Sequence, residues 1–99
     1  MKTYTITIKN EFKEDHISRE AGEKLRNLIL VALKKYEHVT MNFSGVIIAS
    51  TSFFDEGFAK LQLLGWDKKD FNKKIKIIGM NTKDYEVLLI VCKNRGLML

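Results

Sequence analysis

Three segments with strand periodicity alternate with three of helical character inside 99 residues, and that order limits the fold more than any single motif. Tyr4, Ile6 and Ile8 alternate with Thr3, Thr5 and Thr7, the two-residue period of a half-buried strand. "HVTMNFSG" repeats the pattern with Val39, Met41 and Phe43, Gly45 breaks it, and "VIIA" is expected to resume as a short buried extension. "IKIIGM" gives a third strand, flanked by Lys73, Lys74 and Lys76, which discourage pairing at a sheet edge.

Ser18 is a good helix N-cap, and Ala21, Leu25, Leu28, Ile29, Ala32 and Leu33 then recur at helical spacing, with Lys34 and Lys35 suited to the last turn. The polar run from Asn10 to His16 before it reads as a loop or short edge hairpin. A second helix is expected near Ser52, with Phe54, Phe58, Leu61 and Leu64 on its inner face, followed by a charged connection, "DKKDFNKK". Asn81 or Thr82 caps a last helix, since Asp84 falls in its first turn, although "EVLLIVC" has strand-like composition. The order β-α-β-α-β-α predicts a small α/β domain, with a central mixed or parallel sheet and helices mainly on one face. The absence of proline, repeats and low-complexity tracts predicts one domain over residues 1–99.

Charge and cysteine content narrow the setting. A net charge of +5 could favour nucleic acid, but the excess is lysine, with three arginines, Arg19, Arg26 and Arg95, in the chain. Trp66 with Lys68, Lys69, Phe71, Lys73 and Lys74 is the one aromatic and basic patch, and Asp67 and Asp70 interrupt it, so nucleic acid is not the expected partner. A single cysteine, Cys92, and no export signal predict a cytoplasmic protein, and no apolar run is long enough for a membrane span.

The chemistry-bearing signatures are missing. The sequence has no phosphate-binding glycine loop and no nucleophile elbow around Ser50 or Ser52. His16 and His38 stand apart from any array with metal-ligand spacing. Cys92 lies within an apolar segment, where a packed thiol is the common outcome. The expectation is a non-enzyme with no catalytic residue, no cofactor and no metal.

The hydroxyl cluster Ser50-Thr51-Ser52 is therefore read first as structure. Asp55 follows Ser52 by three residues, the spacing of a capping box, which predicts Ser52 as the N-cap. Its position after a strand also places it where α/β folds present ligands. Arg19 and Glu56 each open a helix, and a cation at a helix start opposes the dipole, so an acidic neighbour would resolve the conflict.

The stretch "VTMNFSGVIIASTSFFDEGFAKL" resembles the central motif of the STAS-like domain family of uncharacterised bacterial proteins, and the likeness extends over about residues 4 to 92. That motif has a strand ending in Asp-Phe, a Gly-Val step, and Ser-Phe-x-Asp-Glu opening a helix. The match falls on Phe43, Gly45, Val46, Ser52, Phe53, Asp55 and Glu56, and Ser18-Arg19 matches a Ser-Arg pair at the first helix start. Asn42 departs from the family's Asp. A more distant similarity is to STAS anti-sigma factor antagonists, whose Asp-Ser-Ser-Gly junction aligns Ser52 with a phosphorylated serine. Here Ser50 replaces the acid and Phe53 the glycine.

The resemblance implies a regulatory module that docks a protein partner, a histidine-kinase-like ATPase, through Ser18, Arg19, Ser52, Phe53, Asp55 and Glu56, with Ser52 open to phosphorylation. Two other classes remain: a nucleotide- or small-ligand-binding domain, and a nucleic-acid accessory protein using Lys68 to Lys76. Val87 to Val91 cannot all face one core, so a homodimer interface or the folded-back "GLML" tail is expected to cover the surplus.

Overall fold

A computed structural model describes residues 2–13 and 18–97. Three strands, β1 (Thr3–Thr7), β2 (His38–Asn42) and β3 (Ile75–Ile78), form one sheet in the order β1-β2-β3. Both pairings are parallel, which resolves the choice between a mixed and a parallel sheet. The register aligns Tyr4 with Val39 and Ile75, and Ile6 with Met41 and Ile77. On that face Ile6, Val39, Met41 and Ile75 are buried. The other face, with Thr5, Thr40 and Lys76 in one row, is exposed or half-buried throughout. Strands in sequential order joined by right-handed crossovers put both connections on the same side, so one layer of helices suffices.

Around the sheet run α1 (Ile8–Glu11), α2 (Arg19–Ala32), α3 (Thr51–Gly57), α4 (Lys68–Lys74) and α5 (Thr82–Asn94), with a 3-10 helix over Ala59–Leu64 between α3 and α4. The N-caps of α2 and α5 are those expected. Ser18 Oγ accepts from the Ala21 N–H at 3.0 Å, and Asn81 Oδ1 accepts from the Asp84 N–H at 2.9 Å. The core is dominated by Phe43, Phe53, Phe54 and Phe58, all fully buried, with Phe58 edge-on to Phe71 at 5.8 Å. On α5, Leu88, Val91 and Cys92 are buried while Ile90 is 61% exposed. Of the "GLML" tail expected to fold back, Leu97 is buried and its N–H donates to the Cys92 carbonyl at 2.9 Å, while Met98 and Leu99 lie outside the described residues. Among the described residues no helix is long and apolar enough to cross a membrane.

Several expectations need correction. Ile8 is not part of β1 but starts α1, so the segment expected as a loop or hairpin from Asn10 begins inside a helical turn; Glu14 to Ile17 lie outside the described residues. Helix α2 stops at Ala32, leaving Lys34 and Lys35 beyond its last turn. "VIIA" forms no strand: Ile48 is buried but Ile47 is 72% exposed, and the segment crosses the end of the sheet as irregular chain. Leu64 is 57% exposed rather than on an inner face, because the chain changes from α to 3-10 geometry after Phe58. The "DKKDFNKK" connection is helix α4, started by a reciprocal capping box between Asp67 and Asp70.

Candidate functional site at the entry of helix α3

The cap of α3 is Ser50, not Ser52. Ser50 has extended dihedrals, its Oγ accepts from the Phe53 N–H at 3.2 Å, and the helix starts at Thr51. Ser52 is thus within the first turn, and Asp55 is released from a capping role. The residue before the cap, Ala49, has φ +48°, a left-handed conformation that costs an alanine roughly 1–2 kcal/mol. Asp84 holds it there. This buried carboxylate, at the start of α5, accepts from the Ile48 N–H at 2.8 Å, the Ala49 N–H at 2.9 Å and the Asn81 side-chain amide at 2.8 Å. Read from sequence as a first-turn acid alone, Asp84 fastens the loop that aims α3.

Helix α2 supplies the other half of the site. Arg19, Gly22 and Arg26 follow at intervals of three and four, one stripe along one face. At Gly22 the helices touch: a Cβ there would lie 2.6 Å from the Phe53 carbonyl oxygen and 2.8 Å from Glu56 Cβ. The two arginines, one turn to either side, reach across to α3. Arg19 Nη1 donates to Glu56 Oε1 at 3.0 Å and to Asp55 Oδ2 at 3.2 Å. Arg26 Nη1 donates to Glu56 Oε2 at 3.2 Å and to the Glu56 carbonyl. Lys60, one turn further along, also pairs with Glu56. Arg95, at the end of α5, makes a two-pronged contact with Asp55, its Nη2 at 2.8 Å from Oδ2.

All three arginines of the chain therefore converge on two adjacent carboxylates. The expected Arg19–Glu56 pairing is present; the parts played by Arg26, Lys60 and Arg95 were missed. The stripe Arg19-Gly22-Arg26 was a usable signal, since it faces α3 where an apolar row would otherwise continue. Arg95 carried none, being 40 residues from Asp55.

The arrangement encloses the acidic pair in positive charge. Glu56 is 4% exposed and the Asp55 side chain 16%, whereas the Arg19 side chain is 51% exposed. Four cations surround two anions, and Arg19 is the most exposed of them, at the rim. Ser52 Oγ lies 3.5 Å from Arg19 Nη2. Of the residues expected to meet a partner, Phe53 is fully buried and Glu56 nearly so, because both turn inward, while on the other side of the helix Thr51 is exposed and Ser52 and Asp55 are half-buried. Phe53 and Glu56 build the site and do not present it. Burial pushes the Glu56 carboxyl up, but hydrogen bonds from Lys60, Arg19 and Arg26 outweigh it and hold the group at about 2. Asp55 is also lowered, chiefly by its hydrogen bond from Arg95, with burial opposing and Arg19 assisting.

A three-stranded parallel sheet with helices over one face, and a charged helix entry beyond its central strand, defines a small α/β domain of STAS-like class. The family model for the STAS-like domain of unknown function (DUF4325) matches residues 21–85, and the chain belongs to that family. The match contains Arg26, Ser52, Asp55, Glu56 and Lys60, while Arg19 and Arg95 lie outside it. No curated protein and no solved structure matches the chain.

Proposed function

We propose that the domain is a non-enzymatic regulatory module that docks a protein partner at the entry of α3. The observation carrying this reading is the convergence of all three arginines on Asp55 and Glu56, which leaves Arg19 and Ser52 together at the surface. A buried ion network fixes the position of a rim cation more tightly than a solvated surface pair would. The partner the family likeness suggests is a histidine-kinase-like ATPase, which would meet Thr51, Ser52, Arg19 and Arg95. A phosphate on Ser52 would add roughly −1.5 to −2 charge beside Arg19. Asp55 and Glu56, which would otherwise repel it, are already paired with cations.

Calorimetric titration of such a partner tests the reading. Arg19→Ala is expected to keep the fold, because Arg26 and Lys60 still hold Glu56, and to weaken binding by about tenfold. A folded variant that binds as well as the parent protein overturns docking at this site. Mass spectrometry of the same mixture with ATP separates simple docking from a phosphate switch: an unmodified Ser52 leaves docking alone.

A further inference from the structure

The other end of the sheet carries a second feature, independent of the α3 site. Two pairs of lysines, distant in sequence, face each other there. Lys34 and Lys35 follow the end of α2, and Lys73 and Lys74 close α4. Between them lies a cleft of about 640 Å³, and Glu37 is the one acid in its lining. Four lysines against one glutamate put three of the chain's five net positive charges into this cleft. His38, the first residue of β2, ties the two sides together through Nδ1, 2.8 Å from the Lys73 carbonyl oxygen.

The basic surface continues. A smaller depression of about 250 Å³ shares His38, Lys73 and Lys74 with the cleft and leads past Thr40 to Lys76 on the open face of the sheet. Aromatic rings adjoin the cleft itself, not the path over the open face. Tyr36, in the cleft lining, packs against Tyr4 with ring centroids 5.2 Å apart, and Tyr4 is 38% exposed. Trp66 lies under the Lys74 ammonium at 4.7 Å.

Asp67 and Asp70, which interrupt the basic run in sequence, do not line the cleft. Their capping box holds them at the start of α4, while Lys73 and Lys74 lie in its last turn. A cation near a helix C-terminus offsets the dipole, and that accounts for one lysine at each helix end. It does not account for two pairs gathered across one cleft, where like charges repel.

We propose that this cleft binds single-stranded nucleic acid, with phosphates on the lysines and a base stacked on the Tyr4–Tyr36 pair. Lysines beside an accessible ring are the combination that sequence-tolerant single-strand binding requires, and Tyr4 is that ring, with the half-buried Tyr36 and Trp66 behind the lysines. The expectation against nucleic acid rested on the linear pattern, which could not show Lys34 and Lys35 joining Lys73 and Lys74.

Fluorescence anisotropy with labelled oligothymidylate and oligouridylate of about 12 nucleotides is the test, since such lengths fit small single-strand sites. Four phosphate contacts predict that log K falls with log salt at a slope of about −3. The double reversal K34E/K35E is expected to lower affinity by at least about tenfold at low salt, and circular dichroism should show its fold intact. Tyr4→Ala should weaken binding by about fivefold or more. The control K9E/K13E reverses two exposed lysines at the opposite end of the sheet and should have little effect. Equal losses in the two reversed proteins, equal binding of a duplex, or binding to phosphatidylserine vesicles with none to the oligonucleotides would each overturn the proposal.

Discussion

Glu56→Ala is expected to remove about 3–5 kcal/mol of stability, the usual loss when one partner of a buried charge network is deleted. For a domain of this size that is a large share of the total. The alanine would leave Arg19, Arg26 and Lys60 converging on one another without their shared anion. The same carboxylate gives the protein an acid limb. Its folded value of about 2 lies below the ordinary 4.5, so its contribution is complete above about pH 4.5 and is lost as pH falls toward 2. The amount is on the order of 3 kcal/mol. Asp55, lowered in the same direction, adds to the loss. Urea denaturation at about pH 7 and about pH 3 should show the parent protein losing most of this increment, and Glu56→Ala much less of it. A variant whose stability falls as steeply as the parent's would show that the acid sensitivity resides elsewhere.

The second large effect is expected at Gly22. Its missing side chain is what lets α2 and α3 meet, and the atom nearest to an added Cβ is a backbone carbonyl oxygen, which cannot swing aside. Gly22→Ala gains roughly 1 kcal/mol of helix propensity, and about 1–3 kcal/mol of overpacking opposes it. Gly22→Val adds two more carbons and gives up most of that propensity, so a loss of about 3 kcal/mol or more is expected. Thermal melts of the two variants check the order. Separation of the helices would also pull Arg19 and Arg26 away from Glu56, so Gly22→Val should flatten the acid limb along with Glu56→Ala. A valine variant as stable as the parent would mean that the helices can part without cost.

The sheet and most helices were legible because their signals are local. Val39 and Met41 alternate within β2, with Phe43 continuing the pattern just past its end, and Ser18 and Asn81 cap helices only three residues from the N–H groups they accept. The family motif was legible for a related reason: its residues are continuous from β2 into α3. Errors arose where two local readings competed. Ser50 and Ser52 both suit an N-cap, and the [ST]-x-x-[DE] spacing favours Ser52. The choice is made by Asp84, more than 30 residues away, which fixes Ala49 in a left-handed turn and so starts the helix at Thr51. "VIIA" has strand composition, but Asp84 draws the Ile48 and Ala49 N–H groups away from any sheet partner. Of the site, Arg19 and Glu56 were found by a conflict with the helix dipole. Lys34 and Lys35 looked like ordinary helix-end lysines because nothing near them in sequence reveals what they face.

Cys92, the one thiol of the chain, is buried on α5, and burial above all, with the Asp55 charge beside it, pushes it up to about 12. Only a thiolate is alkylated at a useful rate, so in the closed molecule this sulfur is silent. Each transient departure of α5 returns it to an ordinary acidity and exposes it to reagent. The rate of alkylation at neutral pH therefore counts openings of the C-terminal helix, with no label to attach and no residue to replace. A bound partner that grips Arg95 or the α3 entry should slow that clock in proportion to its occupancy, whereas a ligand in the lysine cleft at the far end should slow it only by stabilising the whole domain.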